Sequence, residues 1–286
     1  MQRAYLAATL LILLSIPCLL IAEQAAPAKR LSVVTYTAPE EGFLSNSHIL
    51  IGEKDAVLID AQYSAEEGMK AAEFIKSTGR KLTAIVITHP HTDHYYGLEA
   101  LGKEFPNAVI TGGPRTMDEV RGSMKYWTGE GAEASKFART EVLTGGAIEL
   151  EGVPVRYRIF KDGESLENTV LYVPSEGILF TGDLASNGTH MWLGEVQPGN
   201  WLAHLKEIRE IGPITAVYPG HGEKGTEEII PRAEQYITGF KEAAAGSDSA
   251  DEAASKMRAL YPDYKLDFIL EGSMRAYMPQ DGEVHK

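Results

Sequence analysis

Two kinds of apolar spacing alternate along the chain. Short runs rich in β-branched and aromatic residues occur over Leu31 to Thr37, Asn46 to Ile51, Ala56 to Asp60 and Leu82 to Thr88. These runs predict strands, with Gly52-Glu53-Lys54-Asp55 as a hairpin-like turn. From Ser64 to Thr78 the period changes: Met69, Ala72, Phe74 and Ile75 fall at helical spacing, and Gly79 is a stop signal. A β-α-β passage of this length predicts that 56–60 and 82–88 run parallel. Tyr95 to Lys103 reads as a helix and Asn107 to Ile110 as a short strand. Thr111 to Gly146 is polar and glycine-rich, with a helix over Thr116 to Trp127. There Tyr126-Trp127 either borders a pocket or anchors the insertion. Strands follow at Ala147 to Glu151, Val153 to Phe160, Thr169 to Val173 and Ile178 to Thr181. Trp201 to Ile211 is predicted helical, with His204 as a structural group; Thr215 to Tyr218 is a strand. Helices are predicted over Thr226 to Ala245 and Ala250 to Leu260, and Tyr261 to Met278 is left as a tail.

Composition changes this picture little; charge and the N-terminus change it more. The chain has 286 residues, 44% of them hydrophobic and 23% charged, which is ordinary for a globular protein. A net charge of -13 argues against a nucleic-acid partner and against adhesion to anionic membranes. Arg3, the apolar run Ala4 to Ala22 and the small residues before Ala28 predict a secretory signal peptide over 1–26. Cys18, the single cysteine, would leave with it, so no disulfide is expected. The expectation is an exported, periplasmic or secreted protein. Its 27–286 portion would form one domain with a helical C-terminal extension and no stable membrane association.

The chemistry concentrates in Thr88-His89-Pro90-His91-Thr92-Asp93-His94, where three of the eight histidines lie within six residues. This stretch sits between a strand and a helix, so a rigid sheet can position accessible polar groups. Neutral imidazoles and carboxylates are good ligands for zinc and other first-row metals. His89 and His91 are two apart and point the same way in an extended segment. Asp93 and His94 follow where the chain turns, and two diverging ligand pairs suit two neighbouring ions. The bland alternative is a polar loop that caps the next helix. His48, alone in a strand, is read as structural.

His89-x-His91-x-Asp93-His94 resembles the signature of the metallo-β-lactamase superfamily. Further motifs appear in the family's order: Ala56-Val57-Leu58-Ile59-Asp60, Phe180-Thr181-Gly182-Asp183 and Tyr218-Pro219-Gly220-His221-Gly222. The resemblance covers Leu31 to at least Glu223. It implies an αββα sandwich, an α/β fold of two mixed sheets flanked by helices, with two divalent metals at one sheet edge. Zinc is the first expectation, with manganese or iron as alternatives. One metal would be held by His89, His91, Asp183 and Glu164, the other by Asp93, His94, His221 and Asp183. Asp60 would orient ligands from behind. A metal-bound hydroxide would attack an ester, lactone, amide or β-lactam carbonyl of a small-molecule substrate, with Asp93 orienting the nucleophile or moving a proton. Thioester hydrolysis, iron-dependent sulfur or redox chemistry, and a non-catalytic metal- or ligand-binding module are the alternatives.

One position departs from the family. Gly163-Glu164-Ser165-Leu166-Glu167-Asn168 stands where the family carries a third histidine, and that histidine falls on Glu164. With two divalent ions, a hydroxide and the carboxylates of Asp93, Glu164 and Asp183, the site sums to zero charge. A histidine at 164 would leave it one unit more positive. A less electrophilic pair and a harder metal follow as expectations. The alternative is that Glu164 points to solvent and the ion beside it is weakly held. The loop Ala185 to Trp192 brings His190 and Trp192 forward as pocket-lining or packing groups.

Overall fold

The computed structural model describes residues 30–128, 138–195 and 198–278. The expected signal peptide over 1–26 lies outside the described residues. β1 (Ser32–Thr37), β2 (Asn46–Ile51) and β3 (Asp55–Ile59) form an antiparallel meander. α1 (Ala65–Ser77) then crosses over to β4 (Lys81–Ile87), which pairs with β3 in parallel, as the sequence pattern predicted. Ser64 caps α1, accepting a hydrogen bond from the Glu67 amide. α2 (Leu98–Glu104), β5 (Val109–Gly112), α3 (Pro114–Thr128) and β6 (Arg139–Val142) complete a sheet of order β1-β2-β3-β4-β5-β6.

The second sheet comprises β7 (Ala147–Leu150), β8 (Val153–Lys161), β9 (Glu167–Val173), β10 (Ile178–Gly182) and β11 (Ala216–Pro219). Its order is β11-β10-β9-β8-β7, antiparallel except for the β10–β11 pair. Both sheets are therefore mixed. α4 (Pro198–Arg209), α5 (Ile229–Ala245), α6 (Ala250–Leu260) and α7 (Asp267–Tyr277) cover its outer face.

Three apolar clusters define the layers. Leu50, Val57, Ile59 and Val86 meet Val155, Leu171, Val173 and Phe180 between the sheets. Outside the first sheet, Ile75, Leu98, Met117 and Val120 pack on Leu58, Ile85 and Ile110. Outside the second, Trp201, Tyr236, Phe240, Met257 and Leu270 pack on Val170, Leu179 and Val217. Strands covered on both faces explain why residues 56–59 of β3, 170–173 of β9 and 178–180 of β10 read as unbroken apolar runs rather than alternating ones.

Two expectations from the sequence differ from the structure. Arg139–Val142 adds a sixth strand within the stretch read as a polar insertion; it is an edge strand with its charged side chains outward. The Tyr261 to Met278 tail contains α7, whose buried Leu270, Ser273 and Met274 lock it down. Among the described residues, no helix is long and apolar enough to cross a membrane.

Candidate metal centre

The site is built where strands of both sheets end. β4 finishes at Ile87, and the next residue, Thr88, is anchored twice to Asp60 just beyond β3. Its amide donates to Oδ1 and its hydroxyl to Oδ2, both at 2.8 Å. Asp60 has a φ of 61°, a left-handed conformation that costs a non-glycine residue on the order of 1 kcal/mol. That turn lets one carboxylate meet both Thr88 and the ring of His94, whose Nδ1 lies 3.0 Å from Asp60 Oδ2.

These contacts determine which ring nitrogen each histidine offers. The Thr88 hydroxyl spends its proton on Asp60, so it accepts from His89 Nδ1, 2.9 Å away. His94 Nδ1 donates to Asp60. His221 Nδ1 donates to the Phe43 carbonyl at 2.7 Å. All three imidazoles thus commit Nδ1–H to the protein behind them and turn Nε2 inward. This is the arrangement that fixes a histidine as a metal ligand.

The inward atoms fall into two adjoining sets. His89, His91, Glu164 and Asp183 bring ligand atoms within 4.8 Å of one another, and so do Asp93, His94 and His221. Asp183 faces both sets. Its Oδ2 is 3.7 Å from His89 Nε2 and 3.0 Å from His221 Nε2, and its Oδ1 is 3.3 Å from His94 Nε2. Asp60 also lies within reach of His89 and His94. Its oxygens are already taken by Thr88 and His94, so it supports the site from behind rather than from within it.

Glu164 is 1% exposed, which excludes the solvent-facing alternative. Asn168 Nδ2 donates to its Oε2 at 2.7 Å and aims Oε1 inward, 3.1 Å from His91 Nδ1. That pair lacks hydrogen-bond alignment: Glu164 Oε1 has no partner, and neither do buried His89 Nε2 and Asp183 Oδ1. Each unmet buried polar atom costs roughly 1–3 kcal/mol. A cation among them would satisfy all three together, so the donor set fits divalent metal.

The electrostatics agree. Burial opposes charge on His94 and His221, yet Asp183 and Asp93 outweigh it, raising His221 to about 10 and His94 well above its ordinary value. Burial likewise opposes ionisation of Asp93 and Asp183, but His94 and His221 hold both carboxyls well below the usual range. These carboxylates favour positive charge between them.

Backbone shape closes the far side. A Cβ on Gly220 would lie 2.0 Å from Asp183 Oδ1 and 3.0 Å from His94, so only glycine lets this turn approach. Asn46 holds the turn, its amide donating to the Gly220 carbonyl at 2.8 Å and its Nδ2 to Pro219 O and Gly222 O. His48 Nε2 donates to Pro219 O at 2.9 Å, so Nδ1 accepts from Thr35. His48 is therefore a structural tie between the sheets, and burial lowers its pKa to about 4. Ser45 Oγ donates to Asp93 Oδ2 at 3.3 Å. Sequence reasoning missed Ser45, Asn46, Thr88 and Asn168; for the first two, the run Ser45-Asn46-Ser47 at the start of β2 was the available signal.

The ligand sets open onto a cavity of about 470 Å³, lined on the site side by His91, Asp93, Asp183 and His221. Phe43, Leu166, Met191, Trp192, Leu266 and Ile269 supply apolar walls; Thr92, Glu119, Ser186, His190 and Glu195 are its other polar lining. His190 and Trp192 thus both line the cavity. Tyr126 and Trp127 do not: Tyr126 is 89% exposed, while Trp127 packs against Tyr95 and Tyr96 as an anchor. His204 lies on α4 beside Phe160 and belongs to neither ligand set nor the cavity lining.

Comparison with known proteins bears on the family and the fold. The chain is 24% identical over 206 residues to a metallo-beta-lactamase type 2 of Bacteroides fragilis, covering 70% of this chain and 78% of that one. It is 26% identical over 183 residues to a hydroxyacylglutathione hydrolase of Glaesserella parasuis, covering 62% and 66%. The solved metallo-beta-lactamase from Pontibacter korlensis superposes with a TM-score of 0.57 at 21% identity, over 73% of this chain and 99% of that one. The family model of the metallo-beta-lactamase superfamily matches residues 41–221, the span containing every residue of both ligand sets, and the chain belongs to that superfamily.

Proposed function

We propose that this protein is a metal-dependent hydrolase holding two divalent ions, one in each ligand set, with Asp183 between them. The observation that carries the reading is the set of three imidazoles with Nδ1–H committed behind them, facing buried carboxylate oxygens that lack partners. Ions bound there would supply Lewis acidity, polarising a substrate carbonyl and making a water more acidic. The protein supplies orientation and proton handling. Asp60 and Thr88 fix His89 and His94. Asn168 fixes Glu164. Asp93 lines the cavity, and Ser45 steadies its Oδ2, so it can orient an attacking water and take its proton.

Zinc is the first choice, as is usual for such histidine-rich sites. Glu164 makes one set richer in oxygen, which favours manganese or iron more than three histidines would. Metal identity also separates this proposal from an iron-dependent redox reading. The substrate class spans esters, lactones, thioesters, amides and β-lactams, the relatives' names covering a lactam and a glutathione thioester. We further propose export, supported by the charged start, apolar run and small residues before Ala28. Sequencing the N-terminus of the exported protein tests that.

The test is metal-free protein reloaded separately with zinc, manganese and anaerobic ferrous iron, then given one substrate of each carbonyl class. Hydrolysis of at least one class is expected, abolished by chelation and cut at least a hundredfold in Asp93→Asn with metal retained. Two bound ions with no hydrolysis of any class would overturn the reading. Oxygen uptake by the iron form in its place would establish the redox alternative.

A further inference from the structure

The cavity is sharply one-sided in charge. Outside the two ligand sets, its ionisable lining consists of Glu119 on α3, Glu195 and His190. Among the described residues no lysine or arginine lines it. His190 supplies no positive charge near neutrality. Its Nδ1 is 2.9 Å from the Tyr236 hydroxyl, and burial lowers its pKa to about 4 although Asp267 opposes this. Of the nearby cations, Arg258 is paired with Asp267 and Glu271 and Arg115 with Asp162, and the exposed Lys265 beside Leu266 does not line the cavity. Glu119 and Glu195 are both exposed; Glu195 also reaches the first ligand set, its Oε2 lying 3.7 Å from His91 Nε2.

The remaining walls are apolar, and part of them comes from beyond the family match. Leu266 and Ile269 lie at the start of α7, past residue 221 where the match ends. The segment is fastened to the opposite wall. The His190 amide donates to Lys265 O at 2.9 Å, the Leu193 amide to Ser273 Oγ at 2.5 Å, and Ser273 Oγ to Met191 O at 3.3 Å. A ring carbon of Trp192 lies 3.2 Å from where a Cβ on Gly272 would be. The 190–193 wall and the C-terminal helix therefore form one packed unit.

Resting on the hydrolase reading, we propose that the cavity selects an acyl substrate that is apolar and either neutral or cationic away from the carbonyl. An anionic group there is rejected. The two ions would be neutralised by Asp93, Glu164, Asp183 and a hydroxide, so the field in the outer cavity is set by Glu119 and Glu195. An anion in that space meets two carboxylates and no compensating cation, whereas a cation meets complementary charge. Leu266 and Ile269 are specificity-determining residues for the apolar part. Carboxylate-bearing β-lactams and S-acyl glutathiones would then be poor substrates.

Three phenyl esters of one acyl length test this, ending in trimethylammonium, tert-butyl or sulfonate, which share a tetrahedral shape and differ in charge. With metal-loaded protein at low salt, kcat/KM for the sulfonate ester should be at least tenfold below that of the tert-butyl ester. The trimethylammonium ester should equal or exceed the latter. The exposed double variant Glu119→Gln/Glu195→Gln should bring the sulfonate-to-tert-butyl ratio at least fivefold closer to one. Ile269→Asp should lower kcat/KM for the tert-butyl ester relative to the trimethylammonium ester. The matching methyl ketones, which cannot be hydrolysed, give the same order by calorimetry. Turnover with the sulfonate ester equal or preferred, or a ratio unmoved in the double variant, overturns the inference and leaves the hydrolase reading intact. Ketone binding in the expected order with no ester turned over sinks the hydrolase reading and retains the charge selection.

Discussion

Replacing Glu164 by glutamine isolates what that carboxylate does, because it changes charge but not volume. Glu164 is buried, with Oε2 held by Asn168 and Oε1 unpartnered beside His91. In Glu164→Gln the amide oxygen can keep the Asn168 contact, which places an NH₂ donor where Oε1 faced the ligand set. A donor cannot bind a cation, and one unit of negative charge is gone. At about 4 Å and an effective dielectric near 20, a unit charge and a divalent ion interact by about 8 kcal/mol. Relaxation and water recover part of this, so a net loss of about 2.7 kcal/mol, or about a hundredfold in affinity, is expected for the ion beside His91. The assay is competition against a chromophoric chelator, with elemental analysis of the dialysed protein. The parent should hold two ions, the variant one tightly and one about a hundredfold more weakly. Asn168→Ala, which keeps the carboxylate but frees it to rotate, should cost roughly tenfold. Two ions bound by Glu164→Gln with affinities within threefold of the parent would refute Glu164 as a ligand.

Three further outcomes are expected. Gly220→Ala should lose metal and activity while keeping its circular dichroism, since its Cβ would be 2.0 Å from Asp183 Oδ1; normal metal content would contradict the crowding argument. His48 has a folded-state pKa of about 4 against an ordinary 6.5, so below 6.5 the unfolded chain takes up a proton that the folded chain refuses. Its contribution is intact above pH 6.5, declines as pH falls to about 4 and then levels off, totalling about 3 kcal/mol. Urea denaturation of the metal-free protein across this window should show that slope as the difference between parent and His48→Gln; parallel curves would disprove it. Finally, saturating metal should raise folding stability by about 4 kcal/mol at a thousandfold excess over Kd, reversed by chelation. An unchanged melting temperature would mean the donors hold no metal in the folded state.

Much of the architecture was legible because period and turn chemistry act locally. The apolar runs at β2 to β4 and β8 to β10, the helical spacing of α1 and the glycine after it each declare themselves within a few residues. β6 and α7 were not legible for the opposite reason. Arg139–Val142 carries two charges in four residues and is a strand only because β5 offers it an edge. α7 is held through its Ser273 hydroxyl, which bonds the backbone of Met191 and Leu193, remote in sequence.

The same division runs through the site. In the sequence, residue type and local spacing put His89, His91, Asp93 and His94 into one chemistry, while Asp183 and His221 joined them only through motifs that resemble the superfamily's. The sequence also marked Glu164 as the departure, but not whether that side chain faces the ligand sets or the solvent. Tertiary structure decided that, through Asn168 on one side and His91 on the other. It decided which nitrogen each histidine turns inward, through Thr88, Asp60 and the Phe43 carbonyl. It also assembled an apolar, acid-rimmed cavity from residues as distant as Phe43, Glu119 and Ile269. Residue type sets what an atom can bind, and that is local; direction, burial and the charge of a cavity depend on neighbours that only folding brings together.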